Sequence, residues 1–130
     1  MTIALTAVVQ ASITTGDSVA TASQDPAANE LWVVDVVMRT TSITATVSGT
    51  GLTWTNIADV TNTQSQLRVF RFRGLSTSDP SSGAITVTVT GNTKPVNVHV
   101  WKATGINTGG TNGSGAIQQT VTDAGPAVDN

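Results

Sequence analysis

Residues 84–90, Ala-Ile-Thr-Val-Thr-Val-Thr, alternate apolar and hydroxyl side chains with a period of two, and that period recurs along most of the chain. Successive side chains of a strand point to opposite faces, so this repeat gathers the apolar residues on one face and does not fit an amphipathic helix. Ile85, Val87 and Val89 thus oppose Thr86, Thr88 and Thr90, and Val96, Val98 and Val100 oppose Asn97, His99 and Trp101. Near the N-terminus Ile3, Leu5, Ala7, Val9, Ala11 and Ile13 are predicted to share one face. Ile43, Ala45 and Val47 repeat the pattern, as do Leu52, Trp54, Asn56, Ala58 and Val60. Residues 18–22 form a weak strand of small side chains. Residues 31–38 are apolar on both faces except at Asp35, which predicts a central strand covered on both sides. In residues 66–73 two faces compete, and Phe70 and Phe72 are expected to face inward.

Turn residues punctuate these runs at Gly16-Asp17, residues 23–29, Gly49-Thr50-Gly51 and residues 76–83. Residues 105–115, rich in Gly, Thr, Asn and Ser, read as a flexible loop too polar to bury, and residues 116–122 as a last strand. The expected fold class is all-β: a two-sheet antiparallel sandwich of jelly-roll or immunoglobulin-like type. Absence of the immunoglobulin cysteine pair favours the jelly roll. The length suits one domain over residues 1–130, with 123–130 expected to be a mobile tail. Its core is predicted to hold Ile85, Val87, Val89, Val96, Val98, Val100, Trp54 and Phe70.

Only 11% of residues are charged, against roughly 25% in an average soluble domain. With a net charge of −2 and a small basic cluster, nucleic acid is not an expected partner. Arg68 lies on the opposite strand face from Arg71 and Arg73, which reads as a solvated strand. The apolar run at 31–38 is too short to span a bilayer, so no membrane partner is expected. The N-terminus lacks the basic region of a signal peptide, which suggests synthesis and release in the cytoplasm. With no cysteine there is neither a disulfide framework nor a thiolate metal site.

Groups that carry chemistry are sparse, and no enzyme, cofactor or metal is expected. His99 is the one imidazole; a Ser-His-Asp set with Asp35 or Asp59 is formally possible, but no Gly-x-Ser-x-Gly elbow accompanies it. An outward strand histidine is the simpler reading. Asp35 with Asp59 is the one carboxylate pair to consider for glycoside chemistry, and each is more simply a surface or hydrogen-bonded Asp. Asp17, Asp25 and Asp79 lie singly in loops, as turn chemistry requires. Residues 105–115 lack the Lys of a phosphate-binding loop. Lys102 could form an isopeptide bond to an Asn or Asp only with a buried acid alongside, and an exposed lysine is the simpler reading. Trp32, Trp54 and Trp101 could build a sugar platform, although core plugs and interface anchors are commoner uses. Trp54 points to the core. Trp101, opposite the valine face, suits a second buried face or a partner contact.

The segments Gly51-Leu52-Thr53-Trp54, Leu67-Arg68-Val69-Phe70-Arg71, Gly83-Ala84-Ile85-Thr86-Val87-Thr88-Val89, Val98-His99-Val100-Trp101-Lys102-Ala103-Thr104-Gly105-Ile106 and Gly110-Thr111-Asn112-Gly113-Ser114-Gly115-Ala116-Ile117 carry a resemblance. Over roughly residues 30–120 the chain resembles a β-sandwich domain family of bacteriophage structural proteins and bacterial surface proteins. The resemblance implies a non-enzymatic virion or surface component and carries over no catalytic residue.

The leading expectation is a virion structural protein, such as a capsid decoration protein or a tail or fibre component, made in the host cytoplasm. Its partners would be copies of itself or a major structural protein. The alternatives are a secreted or surface adhesin or carbohydrate-binding module, with a glycan at Trp101 or Trp32, and an extracellular filament subunit joined by strand exchange. Residues 2–13 lack charge along a strand edge, so they are expected to engage a neighbouring chain or the end of their own sheet. Ile3, Leu5, Val9 and Trp101 are the expected partner contacts.

Overall fold

A computed structural model describes residues 2–78 and 80–117. Eight strands account for most of them: β1 (Ala4–Ile13), β2 (Ser18–Gln24), β3 (Glu30–Met38), β4 (Thr46–Ser48), β5 (Thr55–Asn62), β6 (Leu67–Ser76), β7 (Gly83–Thr88) and β8 (Val96–Thr104). A short 3-10 helix, Thr111–Ala116, follows. The strands form a large sheet of five, in the order β1-β8-β3-β6-β5, and a small sheet of three, β2-β7-β4. Every ladder is antiparallel, so the chain is an all-β sandwich, as the period-two pattern requires. The ladders β1·β8, β2·β7 and β3·β6 nest inside one another, the arrangement made by folding one long hairpin over into two layers.

Between the sheets lies the main core. Trp32, Val34, Val36 and Met38 of β3, Phe70 and Phe72 of β6, and Val96, Val98 and Val100 of β8 meet Val19, Ile85, Val87 and Val89 from the small-sheet side. Each such side chain contributes about 1.5–3 kcal/mol when fully buried. All the predicted core residues belong to this cluster, with Trp54 packed at its rim. Trp54 Nε1 donates a hydrogen bond to the Gly49 carbonyl at 3.3 Å.

Two β-bulges overturn the predicted face assignments. In β1 the register steps from Ala7↔Trp101 to Val9↔Val100, leaving Val8 as an extra residue. Residues directly opposite in an antiparallel ladder share a face. Leu5 and Ala7 therefore lie outward beside Ala103 and Trp101, whereas Val9, Ala11 and Ile13 turn inward beside Val100, Val98 and Val96. In β5 a step between Asn56 and Ala58 sends Ala58 and Val60 outward with Arg71 and Val69. Leu52 and Trp54 precede this strand and pack on the core. An inserted residue is invisible to a period-two reading when the residues flanking the slip are small or apolar. A third bulge, in β2, removes a ladder partner from the Ile85 N–H, and the buried Thr21 hydroxyl accepts it at 3.0 Å.

Other boundaries and covers also shift. β6 runs through the buried Ser76 and β7 begins at Gly83, so the predicted loop between them is shorter. β3 is central, yet Val33, Asp35 and Val37 on its outer face are only half-buried. Cover on that side exists at one end alone, and the segment predicted to be a flexible loop supplies it. Leu31, Leu75 and Ala103 form a second cluster on the outer face, packed against Val33, Ile106 and Ala116. Gly113 is buried there at φ 74°, and a Cβ would stand 2.8 Å from Leu31 Cδ1, so any side chain would be strained and would have to displace Leu31. Asn112 fastens the segment: Nδ2 donates towards the Thr53 carbonyl (2.7 Å), Thr55 Oγ1 (3.0 Å) and the Arg73 carbonyl (3.3 Å), and Oδ1 accepts the Leu75 N–H (2.9 Å). Polarity here serves docking rather than exposure. Ala116 ends the 3-10 helix instead of opening a strand. Residues 118–122 of that predicted strand, the 123–130 tail and Asp79 lie outside the described residues.

Candidate partner-binding surface

Strand register lays the outer face of the large sheet out in rows. One row reads Gln10, His99, Asp35, Arg71 and Ala58 from β1 across to β5. The next reads Ala7, Trp101, Val33, Arg73 and Thr55, and the one beyond it Leu5, Ala103, Leu31 and Leu75. The docked 105–117 segment covers the inner part of this last row but leaves Leu5 at the sheet edge. Ile3, one residue ahead of β1, is 68% exposed and Leu5 is 66% exposed; they are the exposed large hydrophobics among the described residues.

The β1 bulge also opens a groove. Residues 7–10 of β1 and 99–101 of β8 enclose about 240 Å³. Three of the four expected contact residues, Leu5, Val9 and Trp101, thus fall in or beside one feature, and Ile3 lies just beyond Leu5. Val9 reaches the groove while packing on the core, so its side chain is a wall and not an outward contact. Gln10, His99 and Trp101 are not fully buried, and their side chains make no hydrogen bond among the described residues.

Two ion pairs lie on β3, β5 and β6, away from the β1 edge. Arg71 grips Asp35 with two hydrogen bonds, Nε to Oδ1 at 2.6 Å and a terminal nitrogen to Oδ2 at 2.9 Å, on the outer face. Arg68 grips Asp59 in the same two-pronged way, at 2.9 and 2.8 Å, on the inner-face side of the sheet. Asp35 and Asp59 therefore sit on opposite faces of the sheet and cannot flank one glycosidic bond. Arg68 is less solvated than expected. Its guanidinium lies 4.6 Å from the Phe70 ring centroid and also donates to the Thr41 and Ile43 carbonyls, closing the rim of the core. Arg68's hydrogen bonds hold the Asp59 carboxyl below its ordinary value against a smaller upward push from burial.

Glu30, the chain's sole glutamate, has a structural role. Its side chain is 8% exposed and pairs with Lys102 Nζ at 2.7 Å, so Lys102 is not a free surface lysine. The other carboxylate oxygen accepts the Trp32 indole N–H and the Ala27 N–H, each at 3.0 Å. Burial pushes the carboxyl up, but the hydrogen bonds from Lys102, Ala27 and Trp32 and the lysine charge outweigh it and hold the group below its ordinary value. An ionised carboxylate is a poor acceptor for amide formation, so the pair acts as an ionic pin. The signal was present: Glu30 and Trp32 are two apart on one strand and share a face. Trp32 is itself 2% exposed, which removes it from any ligand face. Asp17 accepts the Gly91 N–H at 2.7 Å, a bond to a loop 74 residues further along the chain, so it ties two distant loops together and does not cap its own turn.

Among the described residues no group of three or more His, Asp or Glu side chains is placed to hold a metal ion. No protein-family model, curated protein or solved structure matches the chain.

Proposed function

We propose that this chain is a non-enzymatic structural component of a larger assembly, joined to it through the outer side of β1 and the adjoining face of β8. One observation carries the reading. The two large exposed hydrophobics among the described residues fall together at an edge strand that has no charged residue among its ten. Edge strands of free proteins are commonly guarded by lysines, prolines or inward charges, and β1 has only its bulge. Exposed apolar side chains gathered at one place mark an interaction site. Trp101 in the groove adds an aromatic of the kind that anchors interfaces.

The nested ladders support a jelly-roll reading, an architecture of viral capsid domains and of lectins. This fold analogy and the resemblance of the sequence favour a virion structural protein, as a capsid decoration protein or a tail or fibre component. Its partners are further copies of the chain or a major structural protein. A filament built by strand exchange would use the same β1 edge. A glycan-binding module is the second reading, favoured by the half-buried Trp101 with Gln10 and His99 unpaired beside it; binding on a glycan array that disappears in Trp101→Ala would select it.

The test is incorporation. Wild type and Leu5→Glu are expressed in the producing cell, and gradient sedimentation separates particles from free subunits. Wild type is expected with the particles and the folded Leu5→Glu protein in the soluble pool. Equal incorporation would remove the β1 edge from the contact, and wild type found only as free subunits would remove the assembly.

A further inference from the structure

We propose that the β1–β8 face pairs two copies of this chain about a two-fold axis, with Leu5 of each copy seated in the other's groove beside Trp101. The inference rests on the assembly reading and names its partner. Its basis is that a knob and a hole occupy one face of one strand pair. Leu5 lies opposite Ala103, and Ala7, at the mouth of the groove, lies opposite Trp101. Two residues along a strand is about 7 Å. A two-fold contact requires a self-complementary patch, in which i meets j and j meets i. A protruding leucine one row from a groove meets that requirement, because rotation about an axis between them carries each onto the other.

Three further observations favour a second copy over other occupants. At about 240 Å³ the groove falls below the range of roughly 300–1,000 Å³ typical of small-molecule pockets, which suits a side chain. Near a two-fold axis each residue approaches its own symmetry mate, so any charge would face a like charge. β1 carries none, and β8 offers the His99 imidazole and Lys102, whose ammonium is paired with Glu30. Lastly, edge-to-edge pairing of β1 with β1 is interrupted by the bulge at Val8, which breaks the spacing of the strand's N–H and C=O groups. Face packing uses the bulge, since it forms the groove.

The chain has no cysteine, so introduced thiols report without background. Leu5→Cys and Gln10→Cys proteins are mixed under mild oxidation, and wild type and Leu5→Glu are compared by sedimentation equilibrium, with circular dichroism to confirm folding. The expected result is a mixed Leu5→Cys/Gln10→Cys disulfide in excess over both homodimers, a concentration-dependent wild-type dimer and a monomeric Leu5→Glu. Preferential Leu5→Cys homodimers would overturn the arrangement in favour of edge pairing. A monomeric wild type without the mixed disulfide, alongside Leu5→Glu still excluded from particles, would overturn the self-pairing and leave the assembly reading standing. Normal dimerisation and normal incorporation of Leu5→Glu would overturn both.

Discussion

The two faces of the large sheet carry many of the same side chains and meet different fates. Val34 and Val36 are fully buried against the small sheet, whereas Val33 and Val37, their immediate neighbours, stay half-exposed. Even the outer face is divided. Leu31, Leu75 and Ala103 are buried where the 105–117 segment folds back, and the rows towards Asp35 and Val37 have no such cover among the described residues. Alternation assigns a residue to a face; a covering element turns that face into a core.

Mutation should grade along this comparison. Phe70→Ala removes a 2%-exposed ring from the inner face and should cost about 3–5 kcal/mol, read by denaturant unfolding. A loss near that of an ordinary surface change would show that the small sheet does not cover it.

Glu30→Gln should cost about 1–3 kcal/mol, less than breaking a fully buried ion pair, because Lys102 retains partial solvent contact. The effect depends on pH in a definite sense. Glu30's carboxyl lies below its ordinary 4.5 in the folded chain, so the unfolded chain takes up the proton first as pH falls. The pair's contribution is complete above the ordinary carboxylate range and is lost as pH drops through the lower folded value. Wild type and Glu30→Gln should converge in stability at acid pH, and a constant gap from neutral to acid pH would contradict the ionic pin.

Asn112→Ala should also cost about 1–3 kcal/mol, since it leaves the Leu75 N–H and the Arg73 carbonyl without their side-chain partner. The change should be local: hydrogen exchange is expected to quicken at Leu75 and through residues 105–117 while the inner core keeps its protection. Uniform quickening across all strands would mean that the outer cover and the main core unfold as one unit.

Val37→Ala should have the smallest effect, below about 1 kcal/mol in the isolated chain. A cost comparable to Phe70→Ala would reveal that the outer face is covered in solution.

Much of the sandwich was legible because Thr and Val alternate so regularly at residues 84–90 and 96–100 that only strands satisfy them. The candidate surface was half legible. Leu5 and Trp101 could be named from periodicity and lack of charge, but the groove beside Trp101 depends on a single extra residue, Val8, in a run apolar on both sides of the slip. The 105–117 segment misled for a different reason. Gly and Asn are ordinary loop residues by composition, and the burial of Gly113 and the four contacts of Asn112 come from β3, β5, β6 and the connection before β5, all distant in the chain.

By itself, then, the sequence determined the all-β class, the inward set of Val, Ile and Phe residues, and the shortage of catalytic groups, because period, residue type and charge are local properties. Tertiary structure alone decided the nested strand order, the bulges that re-aim β1 and β5, the Glu30–Lys102 pin and the partial cover of the outer face. Each of these depends on which distant backbone lies alongside and in what register, and a slip of one residue moves every following side chain to the other face without changing a letter of the sequence.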